Sequence, residues 1–499
     1  MPNTFAYMVF FVWPLLTLVL VLTCRPASAV IGSMLFGLLL LPSRVIINPP
    51  LLPSIDKESL AVLTLGVCWL IGALTLSPRR RTGAGAGVTE PMATPEGLLP
   101  RAMLLRVVVL VFLFSPLATV FLNGDRLTFG PRTIQGLGLY DAGNAIVNAS
   151  VMALAFLLGR KFLHSADDHR IVLITFVVAG VVYAVPALYE VRMYPQFNAW
   201  VYGFRPTQHS MVARLGGWRP QVFLAHGLHL GTLLAMFAGA AAALFRIYSG
   251  PTRAQALVAF LFILATLVLA KSTGAILFGF LFSMVILFSG VRTQLVFAAL
   301  VAAFVMTYPL ARGSGLLTAD RVIAPIAPIV QVERIRSLRF RLLNEDLLMQ
   351  RMLERPVFGW GHWGRSRVYD PVTGVDQTVT DGSWVIAIGA WGTVGYVGRF
   401  GMLLLPIILL YRMRRHADMN LETSGLAIIL GMNALDLLPN SSQFPLTFLL
   451  SGALAGRAEM LARSVSAKVK EAPRAPRRAP RIGHVGALSK ARRAVGRTL

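Results

Sequence analysis

Charge is scarce in this chain, and acid is scarcer than base. Charged residues fill 14 % of the 499 positions and hydrophobic residues 56 %, with 22 Asp and Glu set against 47 Lys and Arg. Mean hydropathy is +0.66. A set of soluble domains, which the length alone would suggest, needs about a quarter of its residues charged to cover its surface, so that class is excluded. There are two cysteines, Cys24 and Cys68, both in or beside apolar runs. That excludes a disulfide framework, and no Cys or His spacing suits a metal ion. No P-loop or dinucleotide fingerprint occurs, which excludes a soluble nucleotide handled by a standard motif. Short alternating segments are missing, which excludes a membrane β-barrel. No pair of matching, interrupted apolar segments marks repeated halves, and this weakens a transporter reading.

What the sequence does contain is a series of long apolar runs separated by short polar stretches. In lipid the backbone must satisfy its own hydrogen bonds, so each run is read as a helix. The candidate spans are 5–22, 27–42, 60–77, 104–123, 142–159, 171–189, 222–245, 255–270, 275–290, 294–310, 384–411, 424–438 and 444–457. The expected fold is all-α, a polytopic membrane protein of about 12–13 transmembrane helices, with 1–456 as the membrane domain. Run 5–22 has no Lys or Arg before it and another apolar run after it, so it reads as an uncleaved first helix rather than a leader, despite Ala27-Ser28-Ala29. Arg79-Arg80-Arg81, Arg160-Lys161, Arg246, Arg253, Arg412 and Arg414-Arg415 all fall on one side under this span list. That side is expected to be cytoplasmic. The N-terminus and the loops 124–141, 190–221 and 312–383 then face outward.

The net charge of +25 does not mark a nucleic-acid-binding protein, because apolar runs account for most of the chain. The basic tail 457–499 is expected to be disordered, cytoplasmic and drawn to anionic lipid. Segment 82–97, rich in Gly, Ala, Thr and Pro, reads as a flexible linker.

The two outer loops carry the chemistry. Loop 190–221 holds Arg192, Arg205, Arg214 and Arg219, with His226 and His229 just beyond. Glu190 is placed to pair with Arg192 or Arg219. Loop 312–383 holds ten arginines, among them Arg365 and Arg367, and an amphipathic stretch over 333–355 that is expected to lie along the membrane surface. Arginine presents planar, bidentate donors and stays charged, which suits a diphosphate. In Gly359-Trp360-Gly361-His362-Trp363-Gly364 the glycines predict a tight turn, and the rings of Trp360 and Trp363 could stack on a sugar or anchor at the interface. Asp381 is placed either to cap the next helix or to act as a base. Asp436 and Arg399 fall inside apolar runs, where charge is costly and marks function unless the two pair with each other.

The stretch Gly217-Trp218-Arg219-Pro220-Gln221-Val222-Phe223-Leu224-Ala225-His226-Gly227 resembles the outer-loop segment of bacterial O-antigen ligase and polymerase-like membrane proteins, notably members associated with exopolysaccharide production. So do Arg355-Pro356-Val357-Phe358-Gly359-Trp360-Gly361, the Asp381-Gly382-Ser383-Trp384 start of the following span, and the hairpin at Lys271-Ser272-Thr273. The resemblance covers roughly residues 170–440. It implies transfer of a glycan from undecaprenyl diphosphate to a glycan or lipid acceptor at the periplasmic face of the inner membrane, without a cofactor or metal. On that reading Arg219, Arg214 and Arg205, with Arg365 and Arg367, hold the diphosphate. Many ligases carry a His where the loop re-enters the membrane; here that place reads Val379-Thr380-Asp381-Gly382. The base is then Asp381, His226 or His362, and the departure favours a polymerase over lipid A ligation. Two other functions stay open: a transporter or flippase for a lipid-linked or anionic solute, and a non-catalytic assembly partner.

Overall fold

The computed structural model describes residues 1–49, 54–76, 95–205, 207, 212–214, 216–325, 327–328, 332–361 and 364–471. Helix dominates throughout. Among the described residues eight helices are long and apolar enough to cross a membrane: α1 (Thr4–Thr23), α5 (Met103–Phe121), α6 (Leu139–Phe162), α7 (Ala166–Met193), α9 (Gly227–Ile247), α10 (Gly250–Leu269), α12 (Val291–Gly313) and α15 (Ser383–Arg412). Two shorter apolar helices join them, α2 (Pro26–Leu40) and α11 (Thr273–Phe288). The other expected spans are also helical, as α3 (Lys57–Leu70) with the short α4 (Ala73–Leu76), α16 (Leu421–Asp436) and α17 (Pro445–Glu471). This is an all-α polytopic membrane architecture. Four small helices and hairpins fill the connections: α8 (Phe197–Tyr202), α13 (Ala319–Ile323), the antiparallel pair β1 (Leu127–Phe129) and β2 (Arg132–Ile134), and the pair β3 (Ala213–Arg214) and β4 (Gly217–Trp218). The amphipathic stretch forms α14 (Val332–Leu353).

Helix α9 is the axis of the bundle. Its apolar window is 83 % buried, against 28 % for the peripheral α1 and α10. The run Ala238-Gly239-Ala240-Ala241-Ala242-Ala243 explains why: small side chains let α7, α10, α11 and α16 approach its backbone closely. Polar residues start the helices where the chain enters them. Asn3 accepts from the Ala6 amide, Ser165 from Asp168, and Asn420 from Thr423, each satisfying an otherwise orphan donor.

Sidedness is fixed by contacts between distant segments. The Asn3 amide donates to the Tyr202 carbonyl at 2.9 Å, so the N-terminus lies at the same end of the bundle as loop 190–226. At the opposite end Arg160, fully buried, makes a bidentate pair with Glu459 at 3.0 and 2.8 Å. It also donates to the carbonyls of Glu96, Gly97 and Leu98. The linker 82–97 lies mostly outside the described residues, but its last residues are bound here. The basic tail differs from expectation at its start, because α17 continues as helix to Glu471. Beyond residue 457 it stays packed, with Glu459 on Arg160 and Leu461 buried. Residues 472–499 lie outside the described residues.

Helix α15 is broken. Gly392 has φ +67° and ψ −171°, inside what is otherwise one helix. The groups released by the break are taken by the Arg355–Gly361 turn. Trp360 and Gly361 donate to the Gly389 and Ala390 carbonyls at 2.9 and 2.8 Å, and Thr393 and Val394 donate to the Pro356 and Val357 carbonyls at 2.8 and 3.1 Å. A side chain at Gly392 would run into the Val357 carbonyl, so both the positive φ and the close approach require glycine there.

Candidate functional site

Loop 190–226 is shaped by one buried carboxylate. Glu190, at the end of α7, is 0 % exposed. Its Oε1 accepts the amides of Gln196 and Phe197, both at 3.0 Å, and its Oε2 accepts those of Gln221 and Val222 at 2.8 and 2.7 Å. It therefore closes the loop by holding both of its ends, rather than pairing with Arg192 or Arg219. Val222 adopts φ +53°, an unfavourable value for a β-branched residue that these bonds hold in place. Phe223 is fixed next, its amide donating to the Tyr183 hydroxyl at 3.0 Å and its carbonyl accepting from Lys57 at 3.2 Å.

This path lays the stem of Arg219 across Gly227, the first residue of α9; a Cβ at Gly227 would strike Arg219 Cγ and Cδ. Arg219 is buried, and its own amide donates to the Val212 carbonyl at 2.8 Å. Across the loop, a Cβ at Gly217 would strike the Lys271 ammonium, and one at Gly231 would strike Ser272. Arg219 and Lys271 therefore flank the point where α9 and α11 both begin. Helix N-termini present free amides and partial positive charge. Two cations and two helix starts meet here, which suits an anion, with the Leu228 amide of α9 already taken by His226.

Acidic and imidazole groups border the same place. His226 is the N-cap of α9, and its Nδ1 accepts the Leu228 amide at 3.1 Å. A neutral imidazole with Nδ1 accepting carries its proton on Nε2. In that tautomer Nε2 is a hydrogen-bond donor and not a proton acceptor. The His229 ring stands 6.3 Å from that of His226 and meets Phe444 edge-on at 4.9 Å. Behind it Asp436 accepts from Thr232 at 2.7 Å and from Asn440 at 2.8 Å. Arg341, from α14, donates to the Pro439 carbonyl at 3.1 Å and pairs with Asp381 at 3.3 Å. Asp381 precedes the Gly382 N-cap and does not itself cap α15. Its side chain is 40 % exposed, which leaves a carboxylate that a ligand can reach.

Helix α14 brings Arg341 here because it is anchored from below. Arg312 donates to the Leu342 carbonyl and to Asp346 at 2.9 and 2.8 Å, and pairs with Glu345 at 3.2 Å. Glu345 also accepts from Tyr308 at 3.2 Å and from Trp384 at 3.4 Å. Burial outweighs the nearby Arg312 and pushes the Glu345 carboxyl up from 4.5 to about 7. The folded protein then binds more protons than the unfolded chain between those values, so this group's contribution to stability is present below pH 4.5 and is lost as pH rises through about 7. Thermal unfolding followed across pH 4.5–8 is expected to show that loss. Glu345→Gln is expected to flatten it, and an unchanged slope in the variant overturns the assignment.

The remaining arginines of the sequence reading lie elsewhere. Arg365 is fully buried and donates to the carbonyls of Trp360, Asp125 and Gln135 at 3.0, 3.0 and 2.9 Å and to the Asp125 carboxylate at 3.0 Å. Arg355 pairs with the same carboxylate at 2.8 Å. The Arg355 hydrogen bond, with both guanidinium charges, holds the Asp125 carboxyl below its usual range. Arg365 is a bracket between the loops 124–141 and 312–383, and its donors are occupied. Arg367 pairs with Asp376 and reaches Thr380 at 3.3 Å. Trp360 is 4 % exposed, donates to the Arg351 carbonyl and is covered by the guanidinium of Arg351 at 3.4 Å from the ring centre. It is not open to a sugar. Arg205 is exposed and lies 5.4 Å over the Tyr194 ring. Arg214 contributes its backbone to β3. His362 and Trp363 lie outside the described residues.

The structure places Arg219 and His226 together at the start of α9, sets Asp381 against Arg341 beside Pro439, and engages Arg365 and Arg367 in ion pairs, the latter also reaching Thr380 next to Asp381. It adds Lys271, which the sequence reading named only as part of a hairpin, and Arg341, which it named only among the ten loop arginines. Lys271 lies between two apolar runs, a visible signal; Arg341 is one of many arginines and carries none. Among the described residues no three His, Cys, Asp or Glu side chains gather as a metal ligand set. No protein family, curated protein or solved structure matches this chain.

Proposed function

We propose that this protein is an inner-membrane glycosyltransferase of the O-antigen polymerase or ligase type, with 12–13 spans and the loop 190–226 end facing the periplasm. The observation that supports this is the meeting of Arg219 and Lys271 with the first turns of α9 and α11. A diphosphate leaving group gains charge as its bond to sugar breaks, and preorganised donors stabilise that charge most in the transition state. The acceptor hydroxyl oxygen forms a bond to the anomeric carbon of the lipid-linked glycan. The bond from that carbon to the diphosphate oxygen breaks, and polyprenyl diphosphate departs with the electron pair. The hydroxyl proton passes to a base. Asp381 suits that role: it is a reachable carboxylate held by Arg341, whereas the His226 tautomer suits donation.

Purified full-length protein given a polyprenyl-diphosphate-linked repeat unit is expected to yield two-repeat and longer products together with free polyprenyl diphosphate, both read by mass spectrometry. Absence of both products overturns the proposal. A transporter of anionic solute is the second reading, favoured by the break in α15 at Gly392 and the cation Arg399 beyond it. Solute flux into proteoliposomes without glycan transfer supports it.

A further inference from the structure

A separate cavity of about 390 Å³ lies between α5, α6 and α15. Its lining includes Arg367 and Thr380, which precede α15, and Arg399 within that helix. Thr380 faces this cavity while its neighbour Asp381 pairs with Arg341, so the segment around them separates it from the Arg219 site. One wall is polar inside a helix that is otherwise apolar. Asp141, Asn144 and Asn148 of α6 share a face at i, i+3 and i+7 and line the cavity over about 10 Å of helix. Asn148 donates to Asn144 at 3.0 Å, and Asp141 is held by the Gly138 amide at 2.8 Å. The opposing wall is apolar, with Phe112, Ile386 and Trp391.

Arg399 sets the chemistry. It lies 16 residues from the Ser383 start of α15 and 13 from its Arg412 end, near the middle of that 30-residue apolar helix. Its Nε is buried and has no hydrogen-bond partner among the described residues. Asp436, the other charge within the apolar runs, is bound to Thr232 and Asn440; the two do not pair. An uncompensated guanidinium at the middle of a bilayer is costly. Its planar fork matches an oxyanion in bidentate fashion.

We infer that this cavity is a second, anion-binding site that takes a phosphate ester, with Arg399 on the phosphate, the amides of Asn144 and Asn148 on its remaining oxygens, and the apolar wall against the ester group. The inference does not rest on the transferase reading, because none of these residues belongs to the Arg219 site.

The test uses the full chain in detergent, in two arms. Lipid-borne phosphate is measured as phosphorus-containing lipid retained after extensive detergent washing, by native mass spectrometry. Free phosphate is measured by the shift in thermal unfolding on titration with inorganic phosphate and with diphosphate. The wild type is expected to respond in at least one arm, and the responding arm identifies the source. Arg399→Gln is expected to weaken that response by about tenfold or more, and Arg399→Lys by less, since it keeps the charge and loses the fork. Asn148→Leu, at an exposed position that does not threaten folding, is expected to weaken it severalfold and decides the matter if Arg399→Gln is not produced. A wild type silent in both arms overturns the inference, as does binding that Arg399→Gln and Asn148→Leu leave unchanged. Glycan transfer by the same preparations reports on the Arg219 site separately.

Discussion

Arg219→Ala, expressed in a deletion strain at the wild-type level, is expected to leave single-repeat surface glycan and abolish long polysaccharide on a gel. Removing one preorganised donor from developing oxyanion charge costs roughly 100- to 1,000-fold in turnover, about 2.7–4 kcal/mol. Arg219 is placed for that loss to be large, because its stem is packed over Gly227 and its loop is held by Glu190. Arg219→Lys keeps the charge but not the planar fork, and is expected to recover only a small part of the polymer. Membrane abundance of each variant has to be measured in the same samples. Normal-length polysaccharide in an Arg219→Ala strain with normal protein level would sink the diphosphate clamp and favour an assembly partner that keeps the fold without the chemistry.

The second large effect is on stability. Glu190→Ala leaves four amide donors facing a void, those of Gln196, Phe197, Gln221 and Val222. A buried donor left unsatisfied costs about 1–3 kcal/mol, so the four together set a loss on the order of 4–12 kcal/mol, lowered to the extent that water enters the opened loop. Glu190→Gln turns part of the acceptor into a donor aimed at other donors and is expected to rescue little. Both variants should unfold at lower temperature in detergent, and limited proteolysis should cut between residues 194 and 226. A loop that stays protease-resistant in Glu190→Ala would mean that Asn198, which donates to the Val222 carbonyl, together with Tyr183 and Lys57 holds it without the carboxylate.

Much of the fold was legible. Each apolar run of the sequence became a helix, and the amphipathic spacing over 333–355 became α14. The tail was misread at its start because composition reports charge and not what a helix packs against; Glu459 meets Arg160 of α6 there and Leu461 is buried. The site was legible in part. Arg219 and His226 could be picked from a short motif, but Arg365 stood out just as strongly and turned out to be bound to Asp125, 240 residues away. Nothing local to an arginine says whether a carboxylate awaits it.

The sequence by itself determined that this chain is a membrane-embedded helical bundle, because backbone in lipid must satisfy its own hydrogen bonds and the length of each apolar run then dictates a helix. It also determined where charge collects. Only the tertiary structure decided which charges meet. Thr232 reaches Asp436 across 204 residues, Lys271 comes against Gly217, and Arg399 faces a cavity instead of Asp436. Those meetings depend on how small residues let helices approach and on where Gly392 breaks α15. Both are properties of packing between segments, and no single stretch of sequence carries them.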